Sequence, residues 1–256
     1  MTVPAGHRNP ELPGRAPIDA GIQRASVKDM VVSYCPLLDR GLLRQRYGVT
    51  AEFSSQWPEE VAPELPAPVI IRSGEAGCQL ISARLGLLPH WVRDPTVVRK
   101  TFNARLETVQ DRAIFKDTWQ KGQRCVVPAL AFHMPHPLNG QRWRLAPTPD
   151  NPEPLHLAGL WARGWSPNGE ALMTFTLLTL PDAVDPEGHR LPAVLREQDV
   201  TDWLNATPEG AASLLSAPAL QEGWTRTQEI VPERHAATRI KNTPKDLPFR
   251  SRALPP

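Results

Sequence analysis

The chain has 256 residues, of which 41% are hydrophobic and 22% charged, and its formal net charge is +2. These values are those of an ordinary globular protein with room for a sizeable core, and they argue against a fibre, a membrane-embedded chain or wholesale disorder. A mildly basic chain can bind nucleic acid, but only where its Lys and Arg side chains cluster on one face.

The 29 prolines predict short strands, edges and loops rather than long helices, because proline lacks an amide donor and has a fixed φ. The three cysteines, Cys35, Cys78 and Cys125, are odd in number and show no CxxC pair, so we predict neither a disulfide framework nor a structural zinc site. No apolar run is long enough to span a membrane and the first residues lack an apolar segment, so we predict a cytoplasmic protein with no membrane partner.

Residues 1–28 are rich in Pro, Gly and Arg without any periodicity, which predicts a flexible N-terminal extension, and residues 29–256 are predicted to form one domain. The first periodic segment spaces its leucines and Tyr47 as in a helix over 37–48, with Gly48 as the stop. Apolar runs then predict strands at 68–72, 79–85, 124–128, 155–161, 172–179 and 191–195, and helices at 109–121, 199–204 and 208–215. This order predicts an α+β fold, a twisted β-sheet or open barrel with a few flanking short helices.

Five segments in this order resemble those of one family. They are Leu85–Asp94 (compare WGLIPxWxxD), Phe102–Thr108 (NARxET), Arg124–Ala129 (RCLVPA), Ala158–Trp161 (AGLW) and Arg190–Leu195 (RMPVIL). Together they resemble the SOS-response-associated peptidase (SRAP) family over roughly residues 30–249. The resemblance implies the SRAP fold and a protein that binds single-stranded DNA at abasic sites in the DNA-damage response. In the family, an N-terminal cysteine reacts through its amine and thiol with the abasic sugar to form a thiazolidine, assisted by an Asn, a Glu and a His.

Three of those four residues have no counterpart at the matching positions. Val31 stands where the cysteine belongs, with about thirty residues before it, and Met134 stands where the Glu belongs. Gly188 occupies the place of the His, and His189 lies one residue late. Valine has no thiol and methionine moves no proton, so the resemblance predicts a protein that is degenerate relative to its crosslinking relatives.

The residues that survive are Asn103, Arg105 and Glu107. By resemblance Asn103 lines the active site and Arg105 holds the DNA backbone. The alternative is that the segment is kept for folding, with an internal Arg105–Glu107 salt bridge. In the same way His90, Trp91 and Arg93 are predicted DNA contacts, with a core position as the alternative for Trp91.

Three functions remain open at this point. The first is binding of single-stranded, junction or abasic-site DNA without crosslinking. The second is an abasic-site lyase or peptidase-like enzyme with a rebuilt site. Its catalytic candidates are Asn103, His189, Cys35 or an alternative N-terminus. The third is a protein-interaction module without a nucleic-acid role. No cofactor is predicted, and His133 and His136 lack a third ligand that would make a metal site.

Overall fold

The computed structural model describes residues 31–49, 56–74, 77–138, 141–150, 153–166, 168–217 and 224–230. The predicted extension over 1–28 lies outside these ranges. No helix in the described ranges has the length and hydropathy needed to cross a membrane.

Strands outnumber helices in the described part of the chain, and most strands follow one another without an α-helix between them. The strands are β1 (Ser33–Pro36), β2 (Pro66–Arg72), β3 (Cys78–Leu85), β4 (Asn103–Arg105), β5 (Arg124–Pro135), β6 (Gln141–Pro147), β7 (Leu155–Trp165), β8 (Ala171–Val184), β9 (Arg190–Pro192), β10 (Val194–Leu195) and β11 (Trp224–Ile230). The α-helices are α1 (Arg40–Tyr47), α2 (Ala113–Gln120) and α3 (Val200–Asn205).

Five of these strands close into a barrel in the order β7-β8-β3-β2-β5, and β5 then pairs back with β7. The length of β5 permits this, because its first half, Arg124 to Ala129, pairs with β7 while its second half pairs with β1 and β6. The sequence-based prediction of an α+β barrel with short flanking helices is confirmed. The predicted open barrel is in fact closed, and a two-stranded extension of β6 and β11 continues beyond it.

Two hydrophobic clusters follow from the alternation of side chains along the barrel strands. One includes Leu43, Trp119 and Trp203 from the three helices, together with Ile70 and Leu160 from the strands, so it lies between the barrel wall and the helices. The other is built from alternate strand positions and receives no residue from an α-helix; its members include Val69, Ile71, Leu85, Val127, Phe175 and Leu177. We call this second set the inner cluster, since its side chains point to the other face of the wall.

Local signals placed several elements correctly. The Asp39 side chain accepts a hydrogen bond from the Leu42 amide at 3.0 Å and so caps α1, and Gly48 ends α1 with a left-handed φ of 63°. The helix predicted over 109–121 is shorter than expected: residues 109–112 form turns and a bend after a 3-10 turn at Leu106–Thr108, and α2 begins only at Ala113. The helix predicted over 208–215 is also a 3-10 turn, at Ala211–Leu214.

Candidate functional site

Asn103 lies at the start of β4 and is buried, with 5% of its surface exposed. Its side-chain Nδ2 donates a hydrogen bond of 2.8 Å to the main-chain carbonyl oxygen of Val31. Its Oδ1 has no hydrogen-bond partner within the described ranges. Because β4 pairs in parallel with β8, with Asn103 beside Leu177, the strand holds this amide against the segment that leads into β1.

Val31 and Met134 are buried among apolar side chains. Val31 is 1% exposed, Met134 is fully buried, and both belong to the inner cluster with Phe102. These are the two positions that the family resemblance assigns to a cysteine and a glutamate. A valine side chain has no thiol and a methionine side chain has no carboxyl group, so these side chains lack the two groups that the resemblance places here.

His189 lies on a tight turn between β8 and β9, held by Asp185. The Asp185 carboxylate accepts hydrogen bonds from the main-chain amides of Glu187 at 3.0 Å and His189 at 2.7 Å. It also contacts the His189 ring at Nδ1, at 2.8 Å. Gly188 has a φ of 83°, a conformation that favours glycine, and this turn sets the direction of the imidazole. A carboxylate at Nδ1 orients the ring and directs Nε2 away from Asp185.

Cys35 lies on β1 in a separate, polar environment. Its thiol is half-buried and near Arg144, Glu60 and Glu229, and burial raises its pKa despite the opposing effect of Arg144. A raised pKa leaves a thiol protonated and a poor nucleophile. No hydrogen bond or ion pair joins Cys35, Asn103 and His189 to one another within the described residues, so the catalytic role of each stays a prediction.

The same polar environment contains His133, which the sequence suggested only as an improbable metal ligand. The His133 ring is 1% exposed; its Nδ1 shares a hydrogen bond of 3.0 Å with Ser33 Oγ, and its Nε2 is 3.4 Å from Glu229. Burial, reinforced by the positive charge of Arg142, lowers the pKa of His133 to about 4. His136 lies apart, with its ring centroid 4.6 Å from that of Trp143.

Arg105 and Glu107 do not form the salt bridge that the structural alternative supposed. Glu107 pairs instead with Arg190, at 2.7 Å between Oε2 and Nη2. Arg105 is half-buried at the end of β4, and its Nε has no hydrogen-bond partner within the described ranges. Since Asn103 and Arg105 are two residues apart on one strand, their side chains project to the same side of β4.

His90, Trp91 and Arg93 are all exposed on the segment that follows β3, and 45% of the Trp91 surface is accessible. The base of this segment is fixed: the Leu88 amide donates to Thr174 Oγ1 at 3.0 Å, and the Val92 amide closes a turn on the Pro89 carbonyl at 3.0 Å. The core position considered for Trp91 is therefore wrong. An exposed indole on an anchored turn, with Arg93 beside it, suits stacking on a base and contact with a phosphate.

Sequence reasoning missed Asp185, although its spacing of four residues from His189 across Gly188 was a usable signal. Asp185, Glu187 and His189 each offer a possible metal-ligand atom, and these atoms lie within 4.8 Å of one another. Glu187 is, however, paired with Arg226, and the other two groups are hydrogen-bonded to each other. The three are thus satisfied by protein partners, and the guanidinium disfavours a cation there.

Comparison with known proteins agrees with this architecture. The family model described as SOS response associated peptidase (SRAP) matches residues 35–231. The abasic site processing protein YoqW of Bacillus subtilis is 31% identical over 169 residues, which cover 60% of this chain and 71% of YoqW. The chicken (Gallus gallus) abasic site processing protein HMCES is 29% identical over 177 residues, or 55% of this chain and half of HMCES.

A crystal structure of a Bordetella bronchiseptica protein superposes with a TM-score of 0.66 and 25% identity, covering 77% of this chain and 99% of that one. A Bacteroides thetaiotaomicron structure superposes with a TM-score of 0.60. The family match spans well over half of the chain, and the solved structures share its fold. The chain belongs to the SRAP family.

Proposed function

We propose that this protein binds single-stranded DNA at abasic sites, as a DNA-damage-response member of its family, and that it does so without forming the covalent thiazolidine. Relatives named abasic site processing proteins support the choice of ligand. The proposal that no thiazolidine forms rests on Val31 and Met134. Both are buried in the inner cluster, at the positions of the family's cysteine and glutamate.

The proposed DNA contacts combine stacking and charge. Trp91 offers an exposed ring, and His90 and Arg93 flank it on the same turn. Arg105 offers a guanidinium that can grip a phosphate. Asn103 is buried, and its side-chain oxygen, which has no protein partner in the described residues, can accept a hydrogen bond only from an abasic sugar inserted beside it. Phosphate contacts supply affinity that depends on salt, whereas stacking tolerates any base.

The binding half is tested by fluorescence anisotropy with single-stranded DNA carrying a stable abasic analogue, titrated across salt concentrations. Wild-type protein is expected to bind at low salt and to weaken as salt rises. The double variant R93E/R105E is expected to lose most of that affinity, since each reversed charge repels a phosphate. The matched control R84E reverses a charge on the exposed side chain of Arg84 in β3, outside the proposed contacts. Absence of wild-type binding at low salt would remove the proposal and leave a protein-interaction module as the better account.

The noncovalent half is tested on natural abasic DNA by denaturing gel, beside a family member that retains the N-terminal cysteine. We expect a slow-migrating, covalent band only for that relative. Borohydride added to the same reactions separates a second candidate, an imine-forming lyase. In that reaction a protein amine adds to the sugar aldehyde with loss of water, and the oriented His189–Asp185 pair, the favouring observation, transfers the protons. A borohydride-trapped species in the wild-type lane, lost in H189A, would replace the noncovalent proposal with the lyase.

A further inference from the structure

The β7–β8 hairpin continues beyond the barrel as a two-stranded arm. β5 pairs with β7 only as far as Leu160, and β3 pairs with β8 only from Thr174 onward. The ladder between β7 and β8 nevertheless runs on to Trp165 opposite Ala171. In the described part of the chain, residues 162–165 and 171–173 therefore have no strand partner except each other.

One face of the arm is covered. Leu88, from the segment that carries Trp91, donates its amide to Thr174 Oγ1. It also packs so closely on Gly164 that a Cβ at this glycine would lie 2.2 Å from the Leu88 carbonyl oxygen. Ala162, Gly164 and Thr174 are directed to this covered side, because side chains alternate along a strand.

The other face of the arm is open and carries Arg163 and Trp165. Trp165 is 49% exposed, and the guanidinium carbon of Arg163 is 6.0 Å from the centre of its ring. Their cross-strand neighbours are Met173 and Ala171, so no acidic side chain belongs to this face among the paired arm residues. An exposed indole held beside a guanidinium offers a stacking surface and a positive charge, which suits an anionic, aromatic ligand.

This open face is continuous with the proposed DNA site. Asn103 pairs with Leu177 on β8, and Trp161 lies opposite Phe175, two residues before Leu177 on the same strand. Paired residues and residues two apart project to one face, so Trp161 shares the sheet face of Asn103. Trp165 is four residues farther along the strand, a distance of roughly 13 Å at about 3.3 Å per residue. Trp161, Arg163 and Trp165 thus lead along β7 from the neighbourhood of Asn103 out to solvent.

We infer that Trp165 and Arg163 form a second platform for single-stranded DNA, which stacks a base and contacts a phosphate of nucleotides flanking those at Asn103 and Arg105. The inference rests on the proposed function, whose DNA contacts it extends. Stacking requires no particular base, so the platform adds affinity and strand length rather than sequence preference.

The test measures anisotropy of the full chain with a short oligonucleotide of about 4 nucleotides and a long one of about 16 nucleotides, the range over which single-strand binding sites extend. For W165A we expect roughly tenfold weaker binding of the long oligonucleotide and little change for the short one. W165F is expected to regain most of the lost affinity, because a phenyl ring also stacks. For R163Q we expect the salt dependence of long-oligonucleotide binding to fall by about one released counterion.

The matched control is L130A, which removes an exposed apolar side chain (41% exposed) from β5, away from the arm, and is expected to leave both affinities unchanged. If wild-type protein binds both oligonucleotides and W165A binds the long one as tightly as wild type, the second platform is wrong while the proposed function stands. Equal losses on the short and long oligonucleotides would also overturn it, since Trp165 would then not contact flanking nucleotides. If wild-type protein binds neither, both proposals fail together.

Discussion

Acid should destabilise this protein through His133, a buried ring within an ion-pair network. His133 lies on β5 between Glu60 and Glu229, and Arg142 bridges the two carboxylates, with its Nη2 3.0 Å from Glu229. Burial and the Arg142 charge favour the neutral ring, so its pKa falls to about 4 from an ordinary 6.5. As pH drops below 6.5, the unfolded chain takes up a proton at this position while the folded protein does not.

Stability that is present above pH 6.5 is therefore lost progressively until the pH reaches about 4, where the folded ring also protonates. At about 1.4 kcal/mol per pKa unit, the full loss is about 3 kcal/mol, of which about 2 kcal/mol falls between pH 7 and pH 5. The pKa of Glu60 is also lowered: burial raises it, but hydrogen bonds from Arg142 and Ser33 outweigh that effect. This carboxylate acts in the same direction at still lower pH. The free energy of unfolding of a typical domain is about 5–15 kcal/mol, so this loss is a large fraction of the total stability.

The assay is urea unfolding at about pH 7 and about pH 5 for the wild type, H133N and the control H90N. Asparagine can keep the contact with Ser33 but does not titrate, so H133N is expected to be less stable at both pH values and to lose about 2 kcal/mol less than wild type on acidification. The buried His156, whose pKa is also lowered, contributes equally to all three proteins and cancels in the comparison. H90N changes an exposed histidine and is expected to follow wild type. Parallel pH dependence of wild type and H133N would refute the assignment of this proton to His133.

Three further substitutions test the fold around the site by the same unfolding assay. G86A is expected to destabilise by about 2 kcal/mol or more, because Gly86 has a φ of 115° and an added Cβ would lie 2.5 Å from the Val98 carbonyl oxygen; wild-type stability would contradict that strain. Y47F should cost about 1–3 kcal/mol, since the Tyr47 hydroxyl and His156 Nδ1 share a buried hydrogen bond of 2.6 Å that phenylalanine leaves unmade; a loss near zero would mean that water replaces the hydroxyl. M134E places a carboxyl at a fully buried position and should destabilise by about 3 kcal/mol or more, increasingly as pH rises, because burial favours its neutral form; a pH-independent M134E would show that the position is solvated.

Much of the fold could be predicted from the chain itself because its signals are local. The leucine spacing and the stop at Gly48 defined α1, and alternating or continuous apolar runs marked β2, β3, β7 and β8. The five family-like segments identified the family before any coordinates. Val31 and Met134, at the positions of the family's cysteine and glutamate, lie outside those segments but were found by extending the same comparison along the chain.

Pairings across long separations could not be read in this way. β1, β4 and β11 are short or polar segments that become strands only because β5, β8 and β6 provide partners for their main-chain groups. Closure of the barrel depends on the register between β5 and β7, which no local pattern encodes.

The partners of the side chains in the candidate site likewise depend on pairings between distant segments. The sequence by itself determined which residues are present: Asn103, Arg105 and Trp91 retained, thiol and carboxyl absent at the two matching positions. Only the tertiary structure decided the partners. Glu107 pairs with Arg190, 83 residues away, rather than with its neighbour Arg105. A side chain's partner depends on which strands lie side by side, and that is decided by long-range packing and hydrogen bonding rather than by adjacent residues.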